Sequence, residues 1–182
     1  MPNRKNKKPS ASSNRNNDPI RVEVVIETPR RSRNKLKFDP ASRQFKLSKV
    51  LPEGMMFPYD FGFVPSTKAE DGDPLDVLVL TDEALFPGCL VACRLIGVIK
   101  AEQEENGETT RNDRVIAVAE QSLLYAETHT LQDLSPIILK QIEDFFTNYQ
   151  RARNIRFTVL ERGEAPETRA VLQKAASKKH AA

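Results

Sequence analysis

The sequence predicts a mainly β fold with added α structure: a small β-barrel with helices packed outside it. Two observations carry this. Short β-branched segments follow one another from residue 20 to residue 119, with little helical spacing among them. The period then changes to that of a helix after Ser135-Pro136, so strands come first and helices last. The length, 182 residues, suits one domain with a core that needs no disulfide. No apolar run approaches the ~20 residues that span a bilayer, and the basic N-terminus lacks the apolar stretch of a secretory signal.

The elements follow in order. Ile20–Glu27 is β-branched and partly alternating, and Thr28-Pro29 ends it. Lys35–Asp39 and Gln44–Leu47 read as two further strands, paired across residues 39–43. Residues 51–66, with three prolines, Gly54 and Gly62, read as a long structured loop. Asp76–Leu80 is a nearly continuous apolar run, suited to a strand buried on both faces. Residues 88–100 and 114–119 read as strands, and Asn106-Gly107 marks a hairpin turn between them. Ser135 is an N-cap with Pro136 at the first helical position. Ile137, Ile138, Ile142, Phe145, Phe146 and Tyr149 then recur at helical spacing. Residues 155–160 form a closing strand, and 166–176 a second helix.

The net charge of +3 invites a nucleic-acid reading, but its location argues against one. Residues 1–20 carry a net +4 and residues 177–182 carry +2, which leaves −3 for 21–176. Both ends read as polar segments outside the core: a disordered basic arm over 1–20 and a frayed basic tail over 177–182. Aromatic residues interleaved with basic ones, as a stacking platform for bases requires, are not evident. Cys89 and Cys93 read as buried free thiols in a cytoplasmic protein. Two cysteines and two histidines make a poor zinc site.

The sharpest chemical signal is Asp71-Gly-Asp73-Pro-Leu-Asp76, with three carboxylates in six residues leading into a buried strand. Like charges held together by a Gly/Pro turn call for cations, and carboxylate oxygens suit hard ions such as Mg²⁺, Mn²⁺ or Ca²⁺. An EF-hand loop is a poor match, because Asp76 and Asp82 stand where it needs Gly and Glu. Lys35 and Lys37 share one strand face, Lys49 leads into the Pro-rich loop, and Arg114 opens a later strand. Acids and bases together suggest a metal-bound phosphate substrate.

With these residues assembled, the chain resembles the soluble Mg²⁺-dependent inorganic pyrophosphatases over roughly residues 22–162. The matching stretches include Val24–Glu27, Asn34-Lys35, Met56-Phe-Pro58 with Phe61-Gly-Phe63, Asp71–Val79, Gly97–Lys100, Arg114–Val118 and Phe145-Phe-x-x-Tyr149. The resemblance implies an OB-like closed five-stranded β-barrel and hydrolysis of pyrophosphate to two phosphates by a metal-activated water. It implies several Mg²⁺ ions per site and a homo-oligomer, with a hexamer favoured. It also implies that Asp71 and Asp76 are metal ligands and that Asp73 binds metal and orients or deprotonates the attacking water. Glu27 would lie in the outer metal shell. Lys35, Lys49, Arg114 and Tyr149 would hold phosphate oxygens.

The departures define this chain. Lys37 stands where the family usually has Glu, Phe57 and Phe61 where it has Tyr, Asn112 where a metal-binding Asp is expected, and Gln150 where a Lys is expected. Glu104 or Glu105 could supply one expected acid and Asp113 another, although a one-residue shift on a regular strand turns the side chain to the other face. These swaps leave the pocket two charges more positive than the family pattern. That implies one fewer metal, with Lys37 assuming part of its charge. A related phosphohydrolase with another diphosphate substrate, or a non-catalytic OB-like module binding polyanions, are the alternatives.

Overall fold

The computed structural model describes residues 19–180, with side chains through Ser177. The N-terminal arm before Pro19 lies outside the described residues, as do the tail's basic side chains. Nine strands are described: β1 (Ile20–Thr28), β2 (Asn34–Asp39), β3 (Gln44–Val50), β4 (Asp60–Val64), β5 (Leu75–Leu80), β6 (Leu90–Glu105), β7 (Glu108–Arg111), β8 (Arg114–Ala119) and β9 (Arg156–Gly163). Helix α1 (Pro136–Arg151) precedes β9, and α2 (Ala165–His180) follows it. Strands β1, β4, β5, β8 and β6 pair in that order, and β6 pairs back to β1. Five strands therefore close into a ring, in agreement with the OB-like expectation. β5 and β8 run parallel, while the other ring pairings are antiparallel.

Strand alternation divides the ring residues between two apolar clusters. Leu78 and Leu80 of β5 and Ile116 and Val118 of β8 join Leu139, Ile142 and Phe146 of α1. Val77 and Val79, with Val115 and Ala117, belong to the opposite cluster, which reaches Val171, Leu172 and Ala175 of α2. Asp76 and Arg114 have the parity of Leu78 and Ile116, so both lie on the α1 side of the sheet.

Three segments differ from the sequence reading in type or extent. The presumed loop 51–66 contains β4, which bridges β1 and β5. Gly62 read as a breaker, yet it is required in the sheet: a Cβ there would meet the Val25 carbonyl oxygen at 2.2 Å. The hairpin turn expected at Asn106-Gly107 is present, but its arms are strands, whereas the sequence reading ends the strand at residue 100. β6 continues to Glu105 and pairs with β7 and β9. Helix α2 runs to His180, past the expected boundary at 176.

Polar anchors then place the segments that bear the site. Thr28 Oγ1 accepts from Leu36 N (3.0 Å) and donates to Leu36 O (3.2 Å), which hangs the β2–β3 hairpin on the end of β1. Thr67 Oγ1 donates to Val64 O (2.6 Å) and accepts from Leu75 N (2.9 Å), which closes the base of the loop between β4 and β5. Lys68 N donates to Ala175 O (2.8 Å), so α2 braces the same loop. Ser135 Oγ accepts from Ile137 N at the start of α1 (3.3 Å), as its sequence position predicted.

The α1 stripe is narrower than its spacing alone implies. Ile142 is fully buried, whereas Ile137 is 68% exposed. Chemical denaturation should therefore show a loss of about 2–5 kcal/mol for Ile142→Ala and within about 0.5 kcal/mol for Ile137→Ala. Equal losses would contradict this packing.

Candidate active site

The carboxylate turn is held by its own hydrogen bonds. Ala69 N donates to Asp73 O (2.7 Å), Gly72 N donates to Ala69 O (3.3 Å), and Gly72 supplies the positive φ of +88°. Asp71 Oδ1 accepts from Asp73 N (3.2 Å). Asp71, Asp76, Asp113 and Arg114 line one cavity of about 460 Å³, together with Asn112, Lys100 and residues of α2. Burial, reinforced by the charge of Asp76, raises the Asp71 pKa above the usual carboxylate range.

Each of the other two acids of the turn has a cationic partner. Arg114 Nη1 donates to Asp76 Oδ2 at 2.7 Å. The Arg114 guanidinium is buried between this acid and an aromatic floor, 5.0 Å from the Phe146 ring centre and 6.0 Å from that of Phe157. Its Nε is buried without a hydrogen-bond partner among the described residues. Lys37 Nζ donates to both oxygens of Asp73 at 2.7 Å. Burial works against the charge of Lys37, but the Asp73 carboxylate outweighs it and raises the lysine pKa.

The phosphate-holding residues expected from the sequence converge as well. Lys35 and Lys49 are directly opposite across the β2–β3 pairing. Lys35 Nζ lies 5.0 Å from the Phe61 ring centre and 5.7 Å from that of Tyr149. The Tyr149 hydroxyl is buried and lacks a partner among the described residues. Its ring stacks on Phe145 (5.9 Å) and tilts against Phe57 (6.0 Å). Phe57 and Phe61, 1% exposed each, thus form a dry wall beneath Lys35 that donates no hydrogen bond. Burial, with Arg153 and Lys35 nearby, lowers the pKa of Lys49.

Of the substitute acids, Glu105 is exposed at the hairpin end of β6, and its charge is felt at Lys49. Asp113 lies in an irregular break between β7 and β8, the kind of irregularity that a one-residue shift requires. There its Oδ1 accepts from Ala101 N (3.0 Å) and Arg111 Nε (2.9 Å). Among the described residues, no group of three or more Asp, Glu, His or Cys side chains converges as a ready-made cage.

Sequence reasoning missed Gln103 and Arg153. Gln103 Oε1 accepts from Asn112 Nδ2 and from Gln150 Nε2 (3.2 Å), and Gln150 Oε1 accepts from Arg153 Nη1 (2.7 Å). The positions that departed from the family pattern, Asn112 and Gln150, are therefore joined in one neutral amide network through Gln103. A lone Gln on a polar hairpin strand carries no sequence signal for this. Only the cross-chain pairing reveals it.

Glu27 is 6% exposed and its Oε1 accepts from Phe38 N at 2.7 Å. Burial chiefly raises its pKa to about 7, and the charge of Asp76 adds to the rise. The folded chain therefore retains a proton that an unfolded chain releases near 4.5. Glu27 stabilises the metal-free protein fully below that value, and the contribution is lost as pH rises through about 7. Glu27→Gln should flatten the fall in unfolding free energy over this window, measured by urea titration at several pH values. An unchanged slope would assign the fall to other groups.

The chain is similar to known proteins over most of its length. The family model for inorganic pyrophosphatase matches residues 24–180. An inorganic pyrophosphatase from Nostoc sp. is 40% identical over 129 residues, covering 71% of this chain and 74% of that protein. One from Thermus thermophilus is also 40% identical over 129 residues, covering 71% of each. The crystal structure of inorganic pyrophosphatase from Thermus thermophilus superposes with a TM-score of 0.81 at 30% identity, covering 95% of both chains. That of the Helicobacter pylori enzyme gives 0.81 at 31% identity, over 88% of this chain and 94% of the other. These matches show that the chain belongs to the inorganic pyrophosphatase family.

Proposed function

We propose that this protein hydrolyses inorganic pyrophosphate to two phosphates with the aid of Mg²⁺. The observation that carries this reading is a pair of buried donors without acceptors among the described residues, Tyr149 OH and Arg114 Nε, on the α1 side of the sheet, the side that Asp76 shares by its parity. Leaving such donors unpaired costs free energy, and anionic phosphate oxygens would satisfy both.

The donor set suits the ion. Mg²⁺ typically binds through one or two carboxylates, its own waters and substrate phosphates, rather than in an all-protein cage. Asp71 and Asp76 would hold it, with Asp73 as a further ligand and Glu27 in the outer shell. When bound, the ion supplies a water of lowered pKa and neutralises phosphate charge. The remaining roles belong to the chain. Asp73 orients the attacking water and takes its proton. Lys35, Lys49 and Arg114 hold phosphate oxygens and offset the charge that accumulates on the leaving phosphate. Tyr149 donates to one of those oxygens from a dry aromatic wall, where a hydrogen bond is stronger than in water.

The same reading extends to a cytoplasmic homo-oligomer. Two free cysteines suit a reducing compartment. The exposed side chains of Phe86, Leu90, Leu123 and Leu124 offer apolar surface for a second copy. No described helix is long and apolar enough to cross a membrane.

Phosphate release from pyrophosphate, followed with and without Mg²⁺, tests the activity. Release should depend on Mg²⁺ and fall at least about a hundredfold in Asp73→Ala. Metal-independent release, or undiminished release in the variant, would refute it. Tyr149→Phe separates binding from folding. It should stabilise the ligand-free protein by about 1 kcal/mol, because an unpaired buried hydroxyl is removed, and weaken phosphate binding roughly tenfold. A loss of stability would show that the hydroxyl already has a partner.

A further inference from the structure

Lys37 joins two separate segments of the site. It extends from the β2–β3 hairpin, and its Nζ donates to both Asp73 oxygens on the β4–β5 loop at 2.7 Å. Arg114 Nη1 donates to a single oxygen of Asp76, Oδ2, at 2.7 Å at the start of β5. Two of the three acids in the turn are thus neutralised by the chain itself.

The wider charge balance points the same way. The carboxylates of Glu27, Asp71, Asp73 and Asp76 lie within electrostatic reach of Lys35, Lys37 and Arg114. Lys49 and Arg153 add positive charge at the β3 edge, opposed by Glu105. The fixed charges nearly cancel before any ion enters. Gln103, Asn112 and Gln150 bond to one another along one side and contribute no charge.

A divalent cation entering alone must compete with Lys37 for Asp73 and brings its charge into a site that is already balanced. A cation entering with phosphate brings compensating negative charge, and the anion gives Lys37 a new acceptor. The Lys37–Asp73 pair is suited to this exchange, because both side chains are about half exposed and such pairs are weak. We propose that Lys37 is a built-in counter-ion that makes tight divalent-metal binding conditional on a phosphate-bearing ligand. Lys37 acts here through Asp73, as a positioning residue. The inference rests on the pyrophosphate reading above.

The test is titration of the full chain with Mn²⁺, alone and with inorganic phosphate, reading free Mn²⁺ by electron paramagnetic resonance. Phosphate should tighten Mn²⁺ binding to the unaltered protein by at least about tenfold. Lys37→Gln should bind Mn²⁺ more tightly without phosphate, shrinking the ratio to less than about threefold, and Lys37→Arg should restore it. The proposal is overturned by a ratio below about threefold in the unaltered protein, by an unchanged ratio in Lys37→Gln, or by no Mn²⁺ binding in either condition. Phosphate release from pyrophosphate, measured on the same samples, separates the two readings. Coupling without release would remove the substrate assignment and leave the role of Lys37. Release without coupling would do the reverse.

Discussion

Ring closure is the constraint on which the rest of the molecule depends. Five strands can close only if β1 and β4 approach so tightly that Gly62 has no room for a side chain against the Val25 carbonyl. Everything chemical then hangs from this junction. The end of β1 holds the β2–β3 hairpin through Glu27 and Thr28, which sets Lys35, Lys37 and Lys49. The end of β4 opens the acidic loop, and β5 returns with Asp76. β8, parallel to β5, brings Arg114 onto the same face. Backbone pairing thus delivers three lysines, an arginine and three acids to one place, although they lie far apart in the chain.

That assembly explains the electrostatic character of the site. Acids concentrated on a short turn would repel one another, yet the fold answers most of this charge internally through Lys37 and Arg114. Asp71 has no cationic hydrogen-bond partner among the described residues, and its pKa rises with burial and with the nearby Asp76 charge. On the other side, the aromatic residues of α1 and the Pro-rich segment exclude water from beneath Lys35 and Tyr149. A polar rim over a dry floor is an arrangement in which ionic contacts to an incoming anion are poorly screened.

Much of this was legible in the sequence because its signals are local. Charge density exposed the turn at Asp71–Asp76, β-branched runs marked β5 and β8, and Ser135-Pro136 placed the start of α1 within a residue. What could not be read depends on contacts between distant segments. β4 was hidden because Gly62 and the surrounding prolines resemble turn residues, while the reason for the glycine is the backbone of another strand. Gln103 was hidden because a neutral amide on a hairpin looks like ordinary surface. Its partners Asn112 and Gln150 come from the break between β7 and β8 and from α1. The partner of Lys37 was equally out of reach, since alternation gives the face of a side chain but not what stands opposite it.

The hydrogen bond from Lys68 to the carbonyl of Ala175 ties the acidic loop to the last helix. The two segments therefore share one opening event: when the C-terminal helix lifts away, the loop loses its brace, and its amides become exposed to exchange together with those of the helix. The acidic loop is thus braced from a helix that packs on the opposite apolar cluster from the one that α1 covers.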